Sequence, residues 1–121
     1  MKKILIATTS EATNTALSKT LFRYEVHICN TGDIALAMLE SLQPDILILD
    51  LMLPAIDGLT VLQKSSFKPR VILARTNFIS TTVLQAAADA GVQDIVLIPC
   101  TIRYMMNRLE GLIEKAPSPE A

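Results

Sequence analysis

Four short apolar runs and one mixed segment, residues 24–29 with Val26 and Ile28 apolar, are spaced along the chain, and each is followed within two residues by a hydroxyl, acidic or proline residue. Runs that are apolar at nearly every position are typical of strands that are buried on both faces of a parallel sheet. The predicted strands cover residues 3–8, 24–29, 46–49, 71–74 and 95–98. The run that ends at Asp50 is the strongest of these strand signals.

The segments between the runs carry apolar residues at helical spacing, which predicts helices over residues 12–22, 31–42, 59–64, 80–90 and 102–113. The predicted inner face of the first helix is Ala12, Ala16, Leu17 and Leu21, and that of the second is Ile34, Leu36, Ala37, Met38 and Leu39. Alternating strands and helices predict an α/β fold in which helices cover both faces of a parallel sheet. In such sheets the functional site lies beyond the carboxyl ends of the strands.

Composition limits the function without naming it. The 121 residues are half apolar and carry a net charge of −1, which suits one domain over residues 1–115 and gives no support for nucleic-acid binding. The proline-rich residues 116–121 are predicted to be a disordered tail or the start of a linker. The apolar runs are too short for a membrane span or a signal peptide, so a cytoplasmic location is expected.

Enzyme chemistry has little support in the sequence. Cys29 and Cys100 do not form a Cys-x-x-Cys pair and are expected to be reduced thiols. The single histidine, His27, lies inside a predicted strand, and no nucleophile–base pairing is visible. The residues predicted to end the strands at the site edge are Thr8, Thr9, Ser10, Asp50, Arg75, Thr76, Ile98 and Pro99.

One segment resembles a known family. Residues 44–59, PDILILDLMLPAIDGL, resemble the response-regulator receiver (CheY-like) domains of bacterial two-component and phosphorelay signalling. That family uses a Pro-Asp pair, an apolar strand, a phospho-accepting aspartate, and then a proline and an Asp-Gly pair. The resemblance extends over about residues 2–114. It implies a flavodoxin-like, doubly wound five-stranded parallel sheet of order 2-1-3-4-5, with helices on both faces.

The resemblance also implies a set of site residues, with Asp50 at the phospho-acceptor position. In the family, an acidic pair after the first strand binds Mg²⁺ together with that aspartate and a backbone carbonyl, here that of Met52. A hydroxyl residue ends the fourth strand, a lysine precedes the proline after the fifth strand, and an aromatic residue on the fifth strand acts as the switch. Cations are needed because a carboxylate attacks an anionic phosphoryl donor.

The sequence departs from that pattern at most of these positions. Thr8 and Thr9 replace the acidic pair, and neutral hydroxyls are poor ligands for Mg²⁺ by themselves. Ile98 replaces the lysine and Ile95 replaces the aromatic switch residue. These losses predict a pseudo-receiver that has lost its Mg²⁺ site and signals through protein contacts, not catalysis.

Two positions on the fourth strand remain open. An ungapped count places Thr76 at the hydroxyl position, and a one-residue slip places Arg75 there. Arg75 has two interpretations: a strand-end arginine that reaches solvent, or a pocket cation that pairs with Asp50 and replaces the lost cations. The Ile98–Pro99 bond is expected to be cis, as in the family.

The resemblance implies a partner or homodimer surface on the fourth helix, fifth strand and fifth helix, with Ile102, Arg103, Tyr104 and Met106 as candidate contacts. One alternative is a phospho-accepting receiver that uses Asp50 with unusual chemistry. Another is a flavodoxin-like flavin or nucleotide binder that uses the hydroxyl-rich residues 8–15.

Overall fold

The chain folds into five strands that alternate with five helices in the computed structural model, which describes residues 2–116. The strands are β1 Lys3–Ala7, β2 Glu25–Cys29, β3 Ile46–Asp50, β4 Val71–Thr76 and β5 Asp94–Leu97. The helices are α1 Glu11–Thr20, α2 Gly32–Leu42, α3 Gly58–Lys64, α4 Thr81–Asp89 and α5 Ile102–Lys115. None of these helices is both long and apolar enough to cross a membrane.

All neighbouring strands are parallel, and their order is β2-β1-β3-β4-β5. This confirms the predicted fold and strand order. Chain connections begin at the carboxyl ends of β1 and β3, which lie side by side but lead to helices on opposite faces. The polar residues that follow these two strands therefore meet at one edge of the sheet.

The two faces of the sheet carry separate apolar cores. On one face, residues such as Leu47, Leu49 and Ile72 pack against α2, α3 and the end of α4. On the other face, Ile46, Ile48 and Leu73 pack with α1 and α5. Because side chains alternate along a strand, the central strands β1, β3 and β4 are buried on both faces and show no polar alternation. The edge strand β2 is less buried, and its polar residues Glu25 and His27 alternate with apolar ones.

Hydroxyl caps fix the helix starts nearest the sheet edge. The Ser10 side chain accepts a hydrogen bond from the Thr13 backbone N–H at the start of α1. The Thr101 side chain does the same for Tyr104 at the start of α5. Each cap satisfies one of the backbone N–H groups that a first helical turn leaves unpaired. The starts of α1 and α5 are thereby held next to the ends of β1 and β5.

The predicted inner faces of two helices were partly wrong. Ala12 is exposed and Thr13 is buried in α1. In α2, Ile34 and Ala37 are exposed, and Ala35 is buried in their place. The reason in α1 is that Thr13 lies one turn before Leu17 and faces the polar end of the sheet, where its hydroxyl has a partner.

Several element boundaries differ from the prediction by one or two residues. Strand β5 begins at Asp94 and ends at Leu97, so Ile98 belongs to the turn before Pro99. Helix α5 continues to Lys115. The predicted tail begins at Ala116, which caps α5, and the rest of it lies outside the described residues.

Candidate functional site

Three polar side chains meet at the carboxyl edge of the sheet because of strand register. Asp50, the last residue of β3, pairs in register with Arg75 on β4. Thr8 directly follows β1, the strand on the other side of β3. All three continue the alternation of the residues that face α1 and α5, so their side chains lie on the same side of the sheet.

These side chains form a closed hydrogen-bond network. One nitrogen of the Arg75 guanidinium, Nη1, donates to Asp50 Oδ1 at 2.6 Å and to Thr8 Oγ1 at 2.7 Å. The Thr8 hydroxyl donates to the other carboxylate oxygen, Asp50 Oδ2, at 2.6 Å. Thr8 Oγ1 also accepts from the Ser10 backbone N–H at 3.1 Å. Both oxygens of the carboxylate therefore have a donor inside the protein.

The Asp50–Arg75 pair is largely shielded from solvent. The exposed fraction is 5% for the Arg75 side chain and 13% for that of Asp50. Burial raises the pKa of the Asp50 carboxyl above its ordinary value, and the Thr8 hydrogen bond and the Arg75 charge oppose this rise. A buried charge needs a partner, and each member of the pair supplies one to the other.

Thr13 belongs to the same network, although the apolar pattern of the sequence did not predict it. Its hydroxyl accepts from Arg75 Nη2 at 3.3 Å, and its side chain is buried. The signal that could have identified it is the four-residue spacing of Thr13, Leu17 and Leu21, which places a hydroxyl on the inner face of α1. The contact ties α1 to the end of β4.

The predicted switch positions lie around this network but take no part in it. Thr76 is buried, and its hydroxyl is within hydrogen-bond distance of the Phe78 backbone oxygen at 3.2 Å and nitrogen at 3.3 Å. Ile95 packs against the core on the face of α2 and α3. Ile98 precedes a cis peptide bond to Pro99, the geometry expected from the sequence. Arg75, not Thr76, is the β4 residue opposite Asp50.

The residues of this edge fit a Mg²⁺ ion poorly. Thr9 is exposed and neutral, Thr8 is engaged by Asp50 and Arg75, and the guanidinium occupies the space beside the carboxylate. Within residues 2–116, no three His, Cys, Asp or Glu side chains come together as a metal-binding group. Proteins hold Mg²⁺ through one or two carboxylates together with waters and substrate phosphates, and here the one carboxylate already faces a cation.

The predicted contact residues of α5 separate onto different sides of the helix. Tyr104 is exposed and interacts with Arg108, which forms a two-point ion pair with Asp94 on β5 at 2.5 and 2.6 Å. Ile102 and Met106 pack partly against the core, and Arg103 is exposed. Met106 also lines a groove with residues 20–24 at the end of α1, away from α4.

Curated relatives of the chain are response regulators. It is 30% identical over 123 residues to the response regulator MprA of Mycobacterium bovis, covering 98% of this chain and 54% of that protein. It is 28% identical over 109 residues to the transcriptional regulatory protein TrcR of Mycobacterium tuberculosis, covering 84% of this chain and 42% of that protein. The chain thus spans about half the length of the curated relatives it matches.

Solved structures show the same fold. A CheY-like response regulator receiver domain from Methanospirillum hungatei is 25% identical, with a TM-score of 0.82 over 94% of this chain and 95% of that one. The non-phosphorylated HemR receiver domain from Leptospira biflexa has a TM-score of 0.84 over 98% of both chains at 20% identity. The sequence model of the response regulator receiver domain family matches residues 4–110 of the chain. The chain therefore belongs to the response regulator receiver domain family.

Proposed function

We propose that this receiver domain is a pseudo-receiver: the Asp50–Arg75 pair occupies the phospho-acceptor site, and the domain signals through protein contacts without Mg²⁺-dependent phosphorylation. The observation that carries the proposal is the guanidinium of Arg75, 2.6 Å from Asp50 Oδ1 and 2.7 Å from Thr8 Oγ1. Family membership makes the domain a part of two-component signalling. The proposal includes action in the cytoplasm, no enzymatic activity and no resident metal.

Hydrogen bonding and charge both oppose phosphoryl transfer to Asp50. Thr8 and Arg75 donate to the two carboxylate oxygens, and these bonds lower the nucleophilicity of the carboxylate. The donor would also need cations that neutralise charge at the transferred group. The guanidinium supplies one positive charge, where the family supplies both Mg²⁺ and a lysine. Ile98 supplies no charge where the family has a lysine.

The hydroxyl-rich residues 8–15 are also poorly suited to a flavin or nucleotide phosphate. The hydroxyls of Thr8, Ser10 and Thr13 are engaged in hydrogen bonds within the protein. Releasing them would break the Asp50 network and the α1 cap. This leaves phosphorylation of Asp50 as the main competing function.

Intact-mass spectrometry after treatment with acetyl phosphate and Mg²⁺ tests the proposal. We expect no gain of a phosphoryl group in the wild-type domain. A four-substitution variant, Thr8→Asp, Thr9→Asp, Arg75→Thr and Ile98→Lys, restores the family's charges and is the matched comparison; a receiver domain with an intact site checks the reagent. A phosphoryl group that appears in the wild type and disappears in Asp50→Asn would refute the proposal.

The proposed contact surface lies on α4, β5 and α5. Leu84, Leu97 and Tyr104 are large side chains on these elements with 47%, 50% and 44% of their surface exposed. Their exposure supports the family's partner or homodimer surface as the output of this domain. Light scattering of Leu97→Glu against the matched exposed variant Thr15→Glu tests it: only the β5 variant should shift a concentration-dependent association.

A further inference from the structure

A cavity of about 420 Å³ lies beside the Asp50–Arg75 pair, between the starts of α1 and α5. Its polar lining includes Ser10, Thr13, Arg75 and Asn77, and its apolar lining includes Ile98 and Pro99. The cavity is distinct from the carboxylate itself, because Asp50 is not among its lining residues. It is large enough for a small organic molecule.

Arg75, which lines this cavity, has N–H donors without acceptors. A guanidinium carries five N–H groups, and Arg75 uses three of them, toward Thr8, Asp50 and Thr13. The Nε–H is buried and has no hydrogen-bond partner among the described residues. The second hydrogen of Nη2 is also without an acceptor there. A buried cationic donor without an acceptor is costly, and a ligand oxygen would remove that cost.

The unused donors suit a carboxylate. Nε and Nη2 lie on one edge of the planar guanidinium, and two parallel N–H groups match the two oxygens of a carboxylate. The starts of two helices add favourable partial charge, since Ser10 caps α1 and Cys100 directly precedes Thr101, the cap of α5. These partial charges help to offset the negative charge of Asp50.

We propose that this cavity binds a small carboxylic acid, whose carboxylate bonds to the Nε–Nη2 edge of Arg75 and whose apolar body contacts Ile98 and Pro99. Because the Nε–H is enclosed, the guanidinium must pivot about Nη1, which keeps its bonds to Asp50 and Thr8, and give up the 3.3 Å bond from Nη2 to Thr13. The proposal concerns the unphosphorylated domain and does not depend on the pseudo-receiver assignment.

Benzoate and benzamide are matched probes, because they share a shape and differ in charge. We expect benzoate, titrated into the ¹⁵N-labelled domain without phosphodonor, to shift the amide resonances of Ser10, Asn77 and Cys100 saturably. Benzamide should bind at least about tenfold more weakly, since it loses the charged bidentate contact. Cys100→Phe fills the cavity and should abolish the benzoate shifts, whereas Thr15→Phe, an exposed change on α1, should retain them.

Three results would overturn the proposal: no saturable shift at the cavity residues, equal binding of benzamide, or shifts that persist unchanged in folded Cys100→Phe. If Cys100→Phe does not fold, the wild-type shift map and the comparison of the two probes decide the question. Since the experiment reads binding alone, its failure is distinguishable from a failure of the pseudo-receiver proposal.

Discussion

Neutralising Arg75 alone should destabilise the domain strongly, and changing Asp50 at the same time should relieve part of that loss. Arg75→Met keeps the aliphatic stem but leaves the Asp50 carboxylate without its cation. Breaking a buried ion pair by removing one partner costs about 3–5 kcal/mol. Because the Asp50 side chain is 13% exposed and keeps its bond from Thr8, we expect the lower end of that range.

The double-mutant cycle isolates the energy of the pair. Asp50→Asn leaves an amide oxygen that can still accept from Arg75, but it removes the negative charge and the oxygen that accepts from the Thr8 hydroxyl. Its cost should be about 2 kcal/mol, within the range for losing a hydrogen bond to a charged group. The double variant should be destabilised by about 2 kcal/mol less than the sum of the two single variants. Urea denaturation followed by circular dichroism measures all four free energies of unfolding.

The pH dependence of stability tests independently whether the loss in Arg75→Met comes from the charge of Asp50. Burial raises the pKa of Asp50 in the folded state, and removing the Arg75 charge should raise it further. An acid with a raised folded pKa loses stability as pH rises from its unfolded pKa toward its folded pKa. The Arg75→Met penalty should therefore be smaller at about pH 4.5 than at about pH 7.

The exposed Arg103 provides the matched control, since Arg103→Met removes the same atoms from the surface and should cost less than about 0.5 kcal/mol. Additive single-variant effects, within about 0.5 kcal/mol, would refute the inference that Asp50 and Arg75 stabilise each other. An Arg75→Met penalty that is independent of pH would refute the assignment of that penalty to the Asp50 charge.

Three further predictions concern residues away from the pair. Thr13→Val removes an acceptor from the guanidinium and should cost about 1 kcal/mol in urea denaturation, against almost nothing for the exposed Thr15→Val; equal effects would contradict the contact. Burial raises the pKa of the Cys29 thiol to about 11. Alkylation of Cys29 in the native protein, measured by peptide mass spectrometry, should therefore stay slow at pH 8 and become faster only as the pH approaches that value. Ionisation of this thiol should also favour unfolding above the ordinary pKa of 9.0. Gly32→Ala would bring a Cβ against a backbone carbonyl of the β3–α3 loop and should lower the free energy of unfolding by about 3 kcal/mol or more. The Cβ of Gly111→Ala meets no atoms within 4 Å, so this variant should stabilise α5 by about 0.5–1 kcal/mol. A Gly32→Ala variant as stable as the wild type would contradict the close packing.

The contact between Thr13 and Arg75 shows where the helical pattern was insufficient. The spacing of apolar residues predicted that Ala12 lies on the inner face of α1. A hydrophobic pattern does not identify Thr13, because this residue is buried for the hydrogen bond of its hydroxyl. The partner of Thr13 lies 62 residues away, so only the packing of α1 on the sheet joins them. The same limit applies to α5, where Met106 turned toward the groove at α1 and Tyr104 toward β5.

The sequence by itself determined the strands, the alternation of elements and the polar edge of the sheet. Apolar runs separated by helical patterns are typical of a parallel sheet that is covered on both faces, and Asp50 ends the strongest of these runs. The sequence also contained the replacement of the family's charges by Thr8, Thr9 and Ile98.

Only the tertiary structure decided what surrounds Asp50. Sequence counting left Arg75 free to reach solvent or to turn inward, because one residue of register on β4 separates the two outcomes. Pairing of β4 with β3 sets Arg75 opposite Asp50, and alternation along the strand then directs its side chain toward α1. The ion pair thus arises from register between strands that are distant in sequence, which no local pattern specifies.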